Sequence, residues 1–332
     1  MDKPINRRNY EIDFVKGILV VGMVLYHSLD YFQFGSSMIK YVQFITGSFI
    51  FTSGFLVSAI HMKKYDVQTS GISRRLYMRG FKLLVLFILL NAVLYFLGWQ
   101  TNWKNGVEVE SISDAIYIIF VSGTYKMVAF DILVPIAYSL FLAGGLICVF
   151  RERTWLYMVL AAVAILYCSL MFYGNQEAYN LRYMTIGICG FALGFIDSEK
   201  LLSLSQYSLW IFGFFLIYLI GLHKINMFYP QYVVITIFNI LVIYIAGVRI
   251  SSSNLIVRTI YLLGEYSLLS YLTQIAILQV LVRSFLAYTY NPSIVFLIFI
   301  ITNALMVLCV ALVSRFRTGS KTVDRLYRIV FA

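Results

Sequence analysis

The stretch Ile12–Phe32, IDFVKGILVVGMVLYHSLDYF, decides the fold of this chain. It is long and apolar enough to cross a bilayer as one helix, because about 20 apolar residues span the hydrocarbon core. Lys16 and His27 lie eleven residues apart within it, which in a helix is about 16.5 Å of rise and about 1100° of rotation, so both lie on nearly the same face. A membrane-embedded histidine is costly and usually points into the protein interior. The pattern therefore predicts a membrane helix whose cation and imidazole suit proton or acyl chemistry.

The composition of the whole chain places it in the membrane class. Of its 332 residues, 61% are hydrophobic and 12% are charged, and the mean hydropathy is +0.83; soluble domains carry about 25% charged residues. Apolar runs of this length without strand-like alternation are satisfied in lipid as helices. We therefore predict an all-α, polytopic membrane bundle that forms a single domain over residues 1–332, with no soluble accessory domain. About ten transmembrane helices are predicted, at residues 12–32, 39–61, 80–99, 125–150, 155–173, 182–197, 207–222, 231–248, 259–282 and 293–314. Segment 112–122 is too short to cross the membrane.

The Lys and Arg residues determine the predicted orientation. The net charge is +11, and eighteen of the 26 Lys and Arg residues fall on the side of the N-terminus, against six on the other side. By the positive-inside rule both termini are cytoplasmic, and we expect a multi-pass protein of the plasma (inner) membrane. The basic residues then face anionic lipid head groups, so nucleic acid is not an expected partner. The four cysteines have no CxxC spacing, which predicts neither a metal site nor disulfides.

His27 and Lys16 are the first candidate site residues. As a neutral imidazole, His27 could accept a proton from a substrate hydroxyl or carry an acyl group. The alternative for His27 is a packing role, with the ring bonded to a neighbouring carbonyl. Lys16 either belongs to the same site or extends from the start of the helix to the cytoplasmic surface.

A second candidate group is basic. Arg75, Arg79 and Lys82 follow i, i+4, i+7 spacing, so they share one helix face at the cytoplasmic rim, with Arg74 beside them. Arginine binds phosphate in a bidentate manner, which suits the phosphates of a nucleotide-like donor. The alternative is that these charges only fix the topology and bind no ligand.

Two further positions are supporting candidates. The Ser53–Gly54 pair would let a neighbouring helix or a ligand approach closely. Asp131 lies four residues before Pro135, which is expected to kink the fourth span. A carboxylate there could orient an imidazole, bind a cation, or pair with Lys126.

The other polar residues within spans are expected to be structural. They are predicted to be buried, and they are Asn91, Glu265, Gln274 and Asn303. His61 and His223 lie at span ends and are expected at the surface.

Four segments resemble the acyltransferase-3 membrane family. Residues 12–27, with Lys16-x10-His27, resemble its opening signature, and FIFTSGFLVS at residues 49–58 looks like its second-helix Ser-Gly segment. Arg79-Gly-Phe-Lys82 is similar to the family's basic pair, and residues 262–275, LLGEYSLLSYLTQI, resemble its late Gly-x-x-Ser-x-x-x-Tyr segment. The chain departs from the family in two places. Gln274 stands where many members have His, and Lys82 stands where Arg is usual.

The resemblance implies transfer of an acyl group, usually acetyl, from cytoplasmic acyl-CoA to a hydroxyl of a cell-surface or exported polysaccharide. Acyl-CoA is then a co-substrate, a glycan or lipid-linked saccharide is the acceptor, and no bound cofactor or metal is expected. In this hypothesis His27 has the proton or acyl role, Lys16 tunes the site, and donor phosphates bind Arg75, Arg79 and Lys82. The possible supporting residues are Ser53, Asp131, Glu265 and Tyr271. Two alternatives are an exporter of polysaccharide or lipid-linked sugar, which would use the same buried groups as a path, and a scaffold of a biosynthetic complex.

Overall fold

The described part of the chain is helical. A computed structural model describes residues 9–32, 36–62, 71–97, 111–123, 129–150, 153–173, 178–196, 198–221, 229–250, 254–285 and 291–331, and none of these residues is in a strand. The prediction of an all-α fold is confirmed. The helices are α1 Tyr10–Tyr31, α2 Ser36–Ile39, α3 Phe44–Leu56 (continued as π-helix Val57–Met62), α4 Gly71–Phe96, α5 Ile112–Ile116 (continued as π-helix Tyr117–Ser122), α6 Leu133–Phe150, α7 Thr154–Tyr173, α8 Tyr179–Leu193, α9 Ser198–Ser203 (followed by 3-10 turn Leu204–Tyr207), α10 Ser208–Gly221, α11 Tyr229–Arg249, α12 Leu255–Glu265, α13 Ser267–Phe285, α14 Pro292–Gly319 and α15 Lys321–Phe331.

Nine helical segments within the described ranges are long and apolar enough to cross a membrane, so the chain is a multi-pass membrane protein. The apolar helix Ile112–Ser122 is too short to cross, as the sequence predicted. The nine segments are Tyr10–Tyr31, Phe44–Met62, Gly71–Phe96, Leu133–Phe150, Thr154–Met171, Lys200–Gly221, Tyr229–Arg249, Ser267–Phe285 and Pro292–Gly319.

The tenth predicted span, residues 182–197, is the shorter helix α8. It has 15 residues, which give about 22 Å of rise against the roughly 30 Å of a hydrocarbon core. The helix packs against α6 and α7, and the side chains from Thr185 to Ala192 are buried. Within the described residues α8 is therefore shorter than the nine segments above, and its buried side chains face α6 and α7.

The predicted span 259–282 is two helices. Helix α12 ends at Glu265 and α13 begins at Ser267, with Tyr266 between them. The hydroxyl of Ser270 donates to the carbonyls of Leu263 (3.3 Å) and Tyr266 (3.0 Å). The carbonyl of Tyr266 also accepts from the amide of Ser270 at 2.8 Å. The Ser270 hydroxyl therefore gives Leu263, in the last turn of α12, a partner for a carbonyl that the helix end leaves without one.

The predicted kink at Pro135 is wrong. Helix α6 begins at Leu133, so the proline lies in its first turn, where a missing N–H costs no intrahelical hydrogen bond. Asp131 precedes the helix, and its Oδ1 accepts from the amide of Ile132 at 2.9 Å. Lys126, its predicted partner, lies outside the described residues.

Contacts between helices divide the chain into two compact units. The first unit contains Met1–Ile45, Leu202–Ile220 and Phe238–Phe331, and the second contains Thr46–Leu201 and Gly221–Ile237. In the first unit α1 packs against α12, α13 and α14, and in the second α4 packs against α6, which also contacts α8. The single domain over 1–332 stays a prediction.

Glycines let helices touch backbone to backbone in both units. A methyl group on Gly264 of α12 would overlap the carbonyl of Asp13 on α1, and one on Gly17 of α1 would overlap the carbonyl of Ile260. In the second unit, Gly54 lies against the carbonyl of Gly187 on α8. The Ser53–Gly54 segment therefore admits a neighbouring helix.

Helix α15 follows the last span and is amphipathic. Leu326, Ile329 and Val330 are exposed on one side, a pattern that is typical of helices in a membrane interface. The carboxylate of Asp324 pairs with Nε of Arg317 at 2.5 Å and with Nη2 of Arg328 at 2.8 Å. The pair with Arg317 joins α15 to the end of α14.

We expect Gly264→Ala to destabilise the protein, because the added methyl group would overlap the carbonyl of Asp13. Overpacking of this kind costs about 1–3 kcal/mol, which should lower the midpoint of thermal unfolding in detergent. Gly213→Ala is the matched control, since a methyl group there would meet no neighbouring segment of the described chain within 4 Å. A midpoint for Gly264→Ala at or above that of the wild type would contradict the close contact.

The ion pairs of Asp324 should make the docking of α15 dependent on pH. The guanidinium of Arg317, with that of Arg328, lowers the pKa of Asp324 from its ordinary value of 3.8. A lowered pKa in the folded state means that the pairs stabilise α15 above pH 3.8 and that this contribution is lost as the pH falls through the lowered pKa.

Asp324→Asn should therefore speed amide hydrogen exchange in α15 about twofold at neutral pH. Below both pKa values the variant and the wild type should exchange equally. Arg325→Gln, which removes an exposed charge outside these ion pairs, is the control and should have no such effect. Equal exchange of Asp324→Asn and wild type at neutral pH would remove the proposed link.

Candidate active site

His27 lies on the buried stripe of α1. Val20, Met23 and Val24 precede it on the same face of the helix, and all three are buried. The His27 side chain is 7% exposed, and its Nε2 atom has no hydrogen-bond partner among the residues that the structure describes. In a neutral imidazole one nitrogen donates and the other accepts. The position therefore provides an enclosed ring nitrogen that no described residue satisfies.

Aromatic rings surround the imidazole. The ring centroids of Tyr26 and Tyr31 lie 5.1 and 5.6 Å from that of His27. Tyr271 on α13, which the sequence named as a supporting residue, lies at 6.4 Å and is fully buried. The structure therefore brings His27 and Tyr271 together from the two ends of the chain.

Other polar side chains of the first unit are fully buried. Gln274 lies one turn beyond Tyr271 on α13, and neither its Oε1 nor its Nε2 has a hydrogen-bond partner within the described ranges. The same holds for the hydroxyl oxygens of Ser28 on α1 and Thr302 on α14. The sequence predicted Gln274 as buried and structural, and it singled out neither Ser28 nor Thr302. Single hydroxyls within apolar helices carry no signal that separates them from packing residues.

Lys16 pairs with Asp13 rather than with His27. Its Nζ lies 2.8 Å from Oδ1 of Asp13, one turn earlier on α1. Eleven residues of helix separate Lys16 and His27, which is about 16.5 Å of rise. Sequence reasoning missed Asp13, although the Asp-x-x-Lys spacing is typical of i, i+3 ion pairs.

The basic residues line a cavity in the second unit. Its volume is about 500 Å³, and the charged and imidazole side chains on its wall are His61, Arg74, Arg75, Arg79 and Lys82. The four cations lie within the N-terminal half of α4. The structure therefore places all three predicted phosphate-binding residues in one cavity.

His61 is a member of this cavity that sequence reasoning treated as a surface residue. Nη1 of Arg79 lies 2.7 Å from Nε2 of His61. Arginine has donors only, so Nε2 of His61 accepts this hydrogen bond. The two residues belong to different helices, and no local spacing connects them. The other predicted surface histidine, His223, lies outside the described residues.

The remaining supporting candidates have local roles or are exposed. The hydroxyl of Ser53 donates to the carbonyl of Phe49 in its own helix at 3.1 Å. Glu265 is exposed at the end of α12 and is not buried as predicted. Asn91 is structural as predicted, because its amide exchanges hydrogen bonds with the backbone of Ala129 at 2.8 and 2.9 Å.

Comparison with known proteins identifies the family. A family model described as an acyltransferase domain matches residues 9–314, nearly the whole chain. Neither a curated protein nor a solved structure matches the chain. The matched range includes the buried His27, the cavity of cationic residues on α4, and the segment around Tyr271. The chain belongs to the acyltransferase-3 family of membrane acyltransferases.

Proposed function

We propose that the protein is a membrane O-acyltransferase, and specifically an O-acetyltransferase. It moves an acyl group from cytoplasmic acyl-CoA to a hydroxyl of a cell-surface or exported polysaccharide. The observation that carries this proposal is the enclosed Nε2 of His27, which has no hydrogen-bond partner within the described part of the chain, in a chain of an acyltransferase family.

His27 acts as the general base. The acceptor hydroxyl gives its proton to Nε2 of His27 while its oxygen attacks the acyl carbonyl carbon. When the tetrahedral intermediate collapses, the carbon–sulfur bond breaks and the CoA thiolate takes the proton from the ring. The products are the glycan ester and CoA thiol, so no oxidant or further reactant is needed. Transfer of the acyl group through an acyl-imidazole would use the same nitrogen.

The cavity on α4 binds the phosphates of acyl-CoA. Coenzyme A has a pyrophosphate and a ribose phosphate, and Arg75, Arg79 and Lys82 provide three cations on one wall. The volume of about 500 Å³ is within the usual range for ligand pockets, about 300–1,000 Å³. Arg79 donates a hydrogen bond to the neutral ring of His61. This bond holds the guanidinium of Arg79 in place and does not cancel its charge. With the positive-inside rule this rim and both termini are cytoplasmic, in the plasma (inner) membrane.

Lys16 has a positioning role through Asp13. Asp13 pairs with Lys16 through its carboxylate, and its backbone carbonyl faces Gly264 on α12. The ion pair therefore lies where α1 meets the helix that precedes α13. We propose that it sets the approach of α1 to the segment that carries Tyr271, while His27 performs the proton transfer.

The function is tested by incubating membranes that contain the protein with radiolabelled acetyl-CoA and the surface glycan of the producing cell. Label in base-labile esters of the glycan supports the acyltransferase. Movement of glycan without label supports the exporter, and neither label nor movement supports the scaffold.

We expect His27→Ala to reduce acetyl transfer at least about 100-fold, because general-base catalysis contributes about 100- to 10,000-fold. The amount of protein in the membrane should stay the same, measured by immunoblot beside the labelling assay. Tyr31→Phe keeps the stacked ring next to His27 and is the control, with transfer close to wild type. Unchanged transfer by His27→Ala would exclude His27 from the mechanism.

We expect Arg79→Ala and Lys82→Ala each to raise the KM for acetyl-CoA about tenfold or more, because a hydrogen bond to a charged group contributes about 1.5–3 kcal/mol. Lys82→Arg should lower the KM, since it adds a bidentate donor. Lys200→Ala removes a basic residue that is not on the cavity wall and should leave the KM unchanged. If Arg79→Ala and Lys82→Ala alter membrane topology but not the KM, these charges fix orientation and bind no donor.

A further inference from the structure

Three fully buried polar side chains lie on three neighbouring helices of the first unit. Ser28 on α1, Gln274 on α13 and Thr302 on α14 are each 0% exposed. Their four polar side-chain atoms have no hydrogen-bond partner among the residues described. Buried polar groups in native proteins are nearly always hydrogen-bonded, so these atoms call for a partner beyond the residues described.

Helix register places the three residues in one layer. Phe32, the residue that caps the C-terminus of α1, Leu278 of α13 and Ile298 of α14 belong to a single packed cluster. Residues four apart on a helix share a face, and each polar residue lies four positions along the chain from one member of that cluster. The three pairs are Ser28 with Phe32, Gln274 with Leu278, and Thr302 with Ile298.

The direction of the helices puts all three residues on the same side of the cluster. His27 contacts Tyr271, and Phe32 packs with Leu278, so α1 and α13 run the same way. Helix α14 runs back in the opposite direction to α13. Thr302 follows Ile298 along the chain, whereas Gln274 precedes Leu278, so the two polar residues lie on the same side of the cluster. We define Ser28, Gln274 and Thr302 as the polar layer. His27 borders it, because it precedes Ser28 and contacts the residue one turn before Gln274.

The chemistry of the polar layer suits a partly negative oxygen. The amide nitrogen of Gln274 and the hydroxyls of Ser28 and Thr302 are neutral donors. Neutral donors held in a low-dielectric interior stabilise charge that develops on a carbonyl oxygen during acyl transfer. A carboxylate would repel such an oxygen, and the layer contains none.

We propose that the polar layer binds the carbonyl oxygen of the acyl group and stabilises the oxyanion of the tetrahedral intermediate beside His27. This inference rests on the proposed function and adds the residues that donate hydrogen bonds to the carbonyl oxygen as it gains negative charge. As the acceptor oxygen bonds to the carbonyl carbon, the π pair moves onto the carbonyl oxygen, which the layer's donors contact, and the hydroxyl proton moves to Nε2 of His27. The pair returns to the carbon when the bond to CoA sulfur breaks.

The test uses near-isosteric variants of the full-length protein in membranes. Thr302→Val and Gln274→Met remove donors while nearly conserving side-chain volume. Each should lower kcat for acetyl transfer about 100- to 1,000-fold, as loss of one oxyanion donor does, with the KM for acetyl-CoA little changed. Thr302→Ser retains the hydroxyl and should keep most of the activity.

Two further measurements separate this role from a structural one. The unfolding midpoint should stay equal or rise in Thr302→Val, because replacing an unsatisfied buried polar atom by an apolar one is neutral or stabilising. The infrared carbonyl band of acetyl-CoA carrying ¹³C at the carbonyl should shift to lower frequency on binding to wild type, and less so on binding to Gln274→Met.

The outcomes distinguish this inference from the proposed function. Wild-type kcat in both variants, or a lowered midpoint with unchanged kcat, would overturn the oxyanion role and leave the acyltransferase proposal intact. A wild-type protein that transfers no acetyl to glycan would overturn both. Lowered kcat with retained stability and rescue by Thr302→Ser supports the inference.

Discussion

The backbone contact between α1 and α12 is the constraint on which the environment of His27 depends. Gly17 faces the carbonyl of Ile260, and Gly264 faces the carbonyl of Asp13, so a side chain at either glycine would separate the helices. Helices in lipid associate through close packing, since lipid tails are as apolar as the side chains. Because these two helices touch at the start of α1, the later turns of α1 run along α13, and His27 meets Tyr271.

Polar groups inside the protein fall into two kinds, and the difference separates structure from chemistry. Ser53 and Ser270 donate to backbone carbonyls, and Asn91 joins α4 to the residue Ala129 before α6. These groups are satisfied, and they hold helices or cap breaks. By contrast, Nε2 of His27 and the amide of Gln274 have no hydrogen-bond partner within the described ranges. A buried polar atom is costly to leave unpaired, so the second kind marks where a substrate is expected.

Much of the fold could be predicted from hydropathy. The predictions that failed did so for physical reasons. Length and apolarity identified the membrane-crossing helices, whereas the bounds of α8 depend on its packing against α6 and α7, which the local sequence does not contain. The break at Tyr266 is hard to see in the sequence because Ser270, which lies in α13, donates back to the carbonyl of Leu263 in α12. A kink was predicted at Pro135 because the local sequence does not show that α6 begins at Leu133. That starting point depends on contacts with other segments.

The sequence by itself determined the membrane class, the family resemblance, and the residue types of the candidate site. Lipid requires long apolar helices, and a histidine within such a helix is easily recognised. The tertiary structure alone decided which polar groups meet. It paired Lys16 with Asp13, put His61 against Arg79, and buried Ser28, Gln274 and Thr302 completely on three neighbouring helices. These associations depend on how separate helices pack, and helical periodicity within one segment does not specify the face of another helix that it meets.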